Sequence, residues 1–196
     1  MTDITIRKLS PDMAEDYVRF FDETPHDDGM DESKCYCVCW CAHNSEGVDF
    51  SSREKRRELA AGYVKSGILQ GYLAYRKGRA VGWVNANTKS DCLQCESWRR
   101  FMGDIPAEQP GLTGKVKSVF CFTIAPDAQR TGVASRLLER VVQDAARDGF
   151  DAVEAYPYQS FSPDTCFTGP LEMYRRLGFA EAGSAGRRLI VRKQLG

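Results

Sequence analysis

Residues 116–156 constrain the fold most. The run Val119-Phe120-Cys121-Phe122-Thr123-Ile124 is apolar enough for a buried strand. The turn Gln129-Arg130-Thr131-Gly132-Val133-Ala134 separates it from the amphipathic segment Ser135-Arg136-Leu137-Leu138-Glu139-Arg140-Val141-Val142. Val133, Leu137, Val141 and Ala145, flanked by Ala134, Leu138 and Val142, recur at helical spacing, which predicts a helix over 132–148 with one face docked on a sheet. Gly149 reads as its C′ residue and 151–156 as the next strand. Two strands joined by one crossover helix pair in parallel, so the chain must contain at least one parallel ladder.

The turn between strand and helix also has chemistry. The first amides of a helix have no intrahelical acceptor and sit at the positive end of its dipole, so they can hold a phosphate by backbone alone. Gly132 lets the chain approach such a group with no side chain in the way.

The remaining elements follow from local signals. Residues 4–9 alternate as a first strand, and Ser10-Pro11 reads as an N-cap with proline at the first helical position, opening a helix to about Phe21. Ser51 with Glu54 reads as a capping box for a helix over 53–66. Two strands, 69–75 and 79–86, flank Arg76-Lys77-Gly78 as a hairpin, which adds an antiparallel pair. A helix is expected around 93–102, turns at Pro106 and Pro110-Gly111, a helix from about Pro170, and closing strands near 179–183 and 187–192. The stretches 22–50 and 87–114 have no sustained period and read as long insertions. The expected whole is one domain over 1–196 of α/β (α+β) class: a mixed, mostly antiparallel sheet with helices on both faces.

With 27 basic and 27 acidic residues, the formal charge is zero, and no basic stripe supports binding to nucleic acid. The N-terminus lacks the pattern of a secretory signal, and no apolar run approaches the ~20 residues of a membrane helix. The expectation is a cytoplasmic protein, monomer or homodimer, with its eight cysteines mostly reduced.

Two blocks carry a family resemblance. The turn fits Q/R-x-x-G-x-G/A after the step Ile124-Ala125-Pro126-Asp127, and Tyr174 with Gly178-Phe179 fits a Tyr-x-x-x-Gly-Phe block further on. In that order they resemble the GNAT acetyltransferase superfamily, over nearly the whole chain except the two insertions. The resemblance implies a fold in which the parallel pair splays apart and an N-acetyltransferase that takes acetyl-CoA as co-substrate and a small-molecule or peptide amine as acceptor. Phe122, Thr123 and Ile124 would then offer backbone to the pantetheine. Gln129, Arg130, Thr131, Gly132, Val133, Ala134 and Ser135 would hold the pyrophosphate, and Tyr174 would protonate the leaving thiolate. For the base, Glu154 interrupts the apolar strand Ala152-Val153-Glu154-Ala155-Tyr156 and reads either as a desolvated general base or as the partner of a nearby arginine. Many members have an asparagine beyond this strand where this chain has Tyr156-Pro157-Tyr158-Gln159, so Tyr156, Tyr158, Phe161 and Cys166 stand as candidates for an acceptor pocket.

Cys35-Tyr36-Cys37-Val38-Cys39-Trp40-Cys41 would, if extended, place four sulfurs on one face. With Cys92 and Cys95 three readings stand: thiols packed as small apolar residues around a substrate loop, a zinc site, or a redox-sensitive patch. Zinc is not expected, because the spacing departs from the familiar ligand pairs; His26 and His43 nearby read as surface residues. The rival to an enzyme is a non-catalytic acyl-CoA-binding or zinc/redox-sensing module.

Overall fold

A computed structural model describes residues 4–26, 28–102, 104–105 and 114–196; the expected turns at Pro106 and Pro110-Gly111 lie outside them, as do the side chains of 163–165. Seven strands, β1 (Ile4–Lys8), β2 (Gly71–Arg76), β3 (Arg79–Thr88), β4 (Val116–Ile124), β5 (Ala152–Ala155), β6 (Ala180–Ala185) and β7 (Arg188–Gln194), form one sheet in the order β1-β2-β3-β4-β5-β7-β6. Every ladder is antiparallel except β4–β5. The helices are α1 (Ala14–Glu23), α2 (Arg53–Lys65), α3 (Glu96–Phe101), α4 (Val133–Arg147) and α5 (Leu171–Arg176).

Neighbouring residues of β3 show how the sheet is covered. A Cβ built on Gly82 would meet Val133 Cγ1 at 2.8 Å and Leu137 Cδ1 at 3.3 Å, so this position faces α4. Trp83 points the other way and packs edge-on to Tyr17 of α1, centroids 4.8 Å apart. Helices therefore lie on both faces. On α4, Val133, Leu137, Leu138, Val141 and Ala145 are buried, and the four larger of these contribute roughly 10 kcal/mol of gross apolar burial. The absent side chain at Gly82 is what lets this helix sit so close.

The splay comes from unequal strand lengths. β4 has nine residues and β5 four, and the parallel register runs only from Val116↔Ala152 to Val119↔Ala155. Beyond it the chain leaves β4 at Tyr156-Pro157 and follows β7 instead: Leu189 N–H donates to Pro157 O at 2.8 Å, and Tyr158 bridges Arg188. Phe120 to Ile124 thus have no strand on that edge.

Three local expectations need correction. The helix after Ser10 begins as a 3-10 turn (Pro11–Met13), and Ser10 makes no side-chain cap; its hydroxyl goes to Asp12 instead. The cap of α2 is Ser52, whose Oγ accepts from Lys55 N–H, rather than Ser51. The cysteine run is not extended: Tyr36 and Cys37 have φ of 48° and 55°, in the left-handed region, and 36–39 are turns. The alternate-face arrangement is thereby lost. Tyr36, Cys37, Val38, Trp40 and Cys41 are all buried, because the loop lies on the sheet as part of the core.

Distant hydrogen bonds hold that loop. Arg56 of α2 donates to the carbonyls of Glu32, Lys34 and Phe50. Asn85 of β3 donates to Trp40 O at 2.8 Å, and Ser97 N–H to Cys39 O at 2.9 Å, so the two insertions pack on one another.

Candidate active site

The cleft begins where β4 hands over to α4. Arg130 and Gly132 both have positive φ, 59° and 83°, and Gly132 stands at the N-cap with no side-chain cap. The first helical hydrogen bond is Arg136 N–H to Gly132 O at 3.1 Å, which leaves the amides of Val133, Ala134 and Ser135 without intrahelical acceptors. The loop is held from behind: Asp127 pairs with Arg76 and Arg79 of the β2–β3 hairpin, Thr131 Oγ1 donates to Ala128 O at 2.6 Å, and the Gln129 amide donates to Ile124 O at 3.3 Å.

In front of these amides lies a cleft of about 390 Å³. Ile124, Ala128, Gln129, Arg130, Gly132, Val133, Ala134 and Ser135 form one wall, and Pro170, Glu172, Met173 and Arg176 form the other. Seven of the ten residues expected from sequence to hold a coenzyme therefore meet here. Thr131 instead ties down the loop. Phe122 and Thr123 lie lower on β4, paired through backbone with Val84 and Trp83 on the opposite edge. The resemblance of 171–179 to the family's Tyr-x-x-x-Gly-Phe block implies that this segment closes the coenzyme site; the wall's side chains other than Tyr174 were not named from sequence, although Met173 and Arg176 at i, i+3 share a helix face and signal them. Arg130 and Arg176 add positive charge to the open helix end.

Tyr174 lies on α5 beside this wall but does not line the cleft. It is buried, its ring packs on Phe179 with centroids 5.4 Å apart, and its hydroxyl donates to Thr168 O at 2.6 Å. Burial, with the Cys121 thiol nearby, pushes its pKa far up, so the phenol keeps its proton.

Glu154 is completely buried at the centre of a polar network. Its Oε1 accepts from Lys89 Nζ at 2.7 Å and from the Tyr156 hydroxyl at 2.9 Å; its Oε2 accepts from Arg192 Nε at 3.1 Å and Nη2 at 2.8 Å. Ser118 Oγ in turn donates to the Tyr156 hydroxyl at 3.0 Å. Of the two sequence readings of Glu154, the geometry contains the arginine partner, with a lysine as well.

An aromatic cluster closes the far end of the splay. Trp40 stacks on Phe120 at 4.1 Å and 9°, Trp98 packs tilted against Trp40, and Tyr156 stands edge-on to both tryptophans. Arg188 is buried over Phe120 and Tyr158. Cys37, Cys41, Cys92, Cys95 and Cys121 are buried in the same core. All eight cysteines are free thiols; Cys41 Sγ donates to Val38 O, and Cys95 Sγ accepts from Trp98 N–H as the N-cap of α3. A hydrogen bond from the Cys92 thiol brings the Cys95 pKa down to about 7 against the opposing effect of burial. Among the described residues no group of three or more His, Cys, Asp or Glu side chains could hold a metal ion, so zinc has no support. Nor is any described helix long and apolar enough to cross a membrane.

A splayed parallel pair, a helix N-terminus aimed into the gap and a second helix as its wall make the arrangement that the sequence resemblance implies. The sequence matches the model of the acetyltransferase (GNAT) family over residues 11–179, and the chain belongs to that family as an N-acetyltransferase. No curated protein sequence matches it. Among similar solved structures, PaiA N-acetyltransferase of Thermoplasma acidophilum in complex with coenzyme A is 14% identical, with 98% of this chain and 99% of that one covered and a TM-score of 0.55. YncA of Salmonella typhimurium with its cofactor acetyl-CoA is 14% identical, covering 98% and 94%, TM-score 0.52. The ribosomal-protein-S5-alanine acetyltransferase of Vibrio fischeri is 11% identical, covering 99% and 94%, TM-score 0.55. At these identities the likeness is one of fold.

Proposed function

We propose that the chain moves acetyl from acetyl-CoA directly to an amine held in the same complex. The observation that carries this reading is the edge of β4 past the parallel ladder, which no strand covers among the described residues, running into the open amides of α4. A pantetheine arm has amides that can pair with such an edge, and a pyrophosphate matches the helix end, Arg130 and Arg176. Coenzyme A and acetyl-CoA in the PaiA and YncA structures agree with that assignment.

The amine gives up its proton to water and attacks the thioester carbonyl; the C–N bond forms, the C–S bond breaks, and the coenzyme leaves as a thiol once its sulfur is protonated. Tyr174 is the proposed proton donor, and its buried phenol carries the proton that this role needs. To act, its hydroxyl must exchange the Thr168 carbonyl for the sulfur. Glu154 acts as a positioning residue: both its oxygens are engaged, and it reaches the acceptor side only by fixing the hydroxyl of Tyr156.

The test uses a variant that separates binding from folding. Ala134→Asp puts a carboxylate among the amides of the first turn, where it repels a phosphate yet suits the helix dipole, a stabilisation of about 0.3–1 kcal/mol. Calorimetric titration should show acetyl-CoA bound at least tenfold more weakly with Tm unchanged or raised. Unchanged affinity removes the helix end from the site, and coenzyme binding without thiol release across a broad amine panel removes the transferase reading.

A further inference from the structure

Arg188 is a buried cation that the coenzyme chemistry does not use. It is 6% exposed. The other buried charges are met: Glu154 by Lys89 and Arg192, Asp144 by Arg140 and Arg147, Lys34 by Asp31. Lys117, over the Phe150 ring at the opposite end of β4, can release its proton, its pKa being brought down to about 8 by burial. A guanidinium cannot take that way out.

Among the described residues Arg188 has no carboxylate within ion-pair distance. Its Nη1 donates to Tyr156 O at 3.1 Å and its Nη2 to the Tyr158 hydroxyl at 2.8 Å, while its carbon lies 4.1 Å from the Tyr158 ring centre and 5.6 Å from that of Phe120. Those bonds use two of five N–H groups. The aromatic rings and the two neutral acceptors aim the fork but do not neutralise it, and burying such a charge without an anion destabilises the empty fold.

Its position gives the anion a role. Phe120 is the first β4 residue past the parallel ladder, and Tyr156 is the first residue past β5, so the guanidinium sits at the apex of the splay. From Ile124 to Phe120 the open edge runs about 13 Å at ~3.3 Å per residue, bringing the reacting end of a coenzyme anchored at α4 toward this apex. We infer that Arg188 is the docking site for a carboxylate on the acceptor, which makes the substrate class small amino carboxylic acids such as free amino acids; this rests on the transferase reading above. The planar fork matches a carboxylate, and it holds the acid while its amine reaches the thioester. The amine nitrogen gains the acetyl group, the coenzyme departs as thiol, and the product is an N-acetyl amino acid.

Thiol release from acetyl-CoA should be compared for amino acids and their amides, pairs that differ in the carboxylate and keep the amine. The amide amine is the more easily deprotonated, so intrinsic reactivity works against the expected result. Wild type should favour the acids in kcat/KM by roughly 10- to 100-fold, the worth of a charge-assisted hydrogen bond. R188K, which keeps the charge, should cut that preference about tenfold, and R188Q should abolish it with acetyl-CoA affinity unchanged. In parallel, N-acetyl amino acids are titrated into coenzyme-loaded protein and should bind wild type but not R188Q. Turnover with amides equal to acids overturns the Arg188 assignment and leaves the transferase reading standing. No turnover, with the N-acetyl acids binding through Arg188, keeps the carboxylate site and removes the transferase reading. Neither turnover nor binding of the acids overturns the inference, and if R188Q fails to bind coenzyme the R188K comparison decides.

Discussion

Glu154→Gln exposes what the buried network contributes. The substitution keeps the volume of the side chain and one carbonyl oxygen, but Lys89 and Arg192, whose side chains are 5% and 12% exposed, lose the carboxylate they share. Four hydrogen bonds converge on that carboxylate, three of them from cations, so this is a desolvated site and not a surface pair. Removing one partner of such a site costs about 3–5 kcal/mol, against about 0–1 kcal/mol for an exposed pair. In a domain of 150–250 residues each kcal/mol moves Tm by ~2–4 °C, so a fall of roughly 6–20 °C is expected. Urea denaturation followed by circular dichroism, with a thermal scan beside it, measures both quantities. Acetyl-CoA affinity should be nearly kept, because the cleft at α4 shares no residue with the network. A Tm loss under about 3 °C would refute the reasoning and return Glu154 to its alternative reading as a general base.

Three further outcomes are expected. Tyr174→Phe should lower kcat by about 100-fold, within the range of general acid catalysis, with coenzyme affinity little changed; full turnover would assign the hydroxyl only to holding Thr168. Lys117 has its pKa lowered from 10.5 to about 8, first by burial and then by Lys8 and Lys115. The unfolded chain therefore binds the extra proton between these values, and stability attributable to this residue rises with pH across that window. Lys117→Met should thus be more stable than wild type at pH 7 by up to roughly 3 kcal/mol, with the gap closing by pH 10.5, and a gap independent of pH contradicts it. Native alkylation read by mass spectrometry should mark exposed Cys35 before half-buried Cys39 and Cys166, with Cys37, Cys41, Cys92, Cys95 and Cys121 protected until unfolding. Labelling of Cys95 ahead of Cys35 would mean that its acidity outweighs its burial.

The proposed donor half of the site was legible because it is local. Strand, turn and helix lie within residues 116–156, and the open amides at 133–135 follow from where a helix begins. Tyr174 was also visible as a type of residue, but its bond to Thr168 was not, since it depends on how the 3-10 turn before α5 is placed. Long-range partners set the remainder. Glu154 meets Lys89 from 65 residues away and Arg192 from 38, and neither spacing leaves a trace in periodicity. The cysteine loop read as an extended thiol face because Tyr36 and Cys37 carry no sign of positive φ; its path is fixed by distant partners, among them Tyr17, Arg56, Asn85 and Ser97. Arg188 was passed over for a similar reason: on the sequence it is one of two adjacent arginines at the start of a closing strand, and only the departure of the chain from β4 at Pro157 puts it over Phe120.

Hydrogen exchange of the protein with and without acetyl-CoA tests the central claim most directly. Amides of 120–124 on the open edge of β4 and of 133–135 at the start of α4 should slow together on binding, while those of β1 and β6 stay as they were. Saturation with acetyl-CoA that leaves both segments exchanging at their free rates would contradict the site.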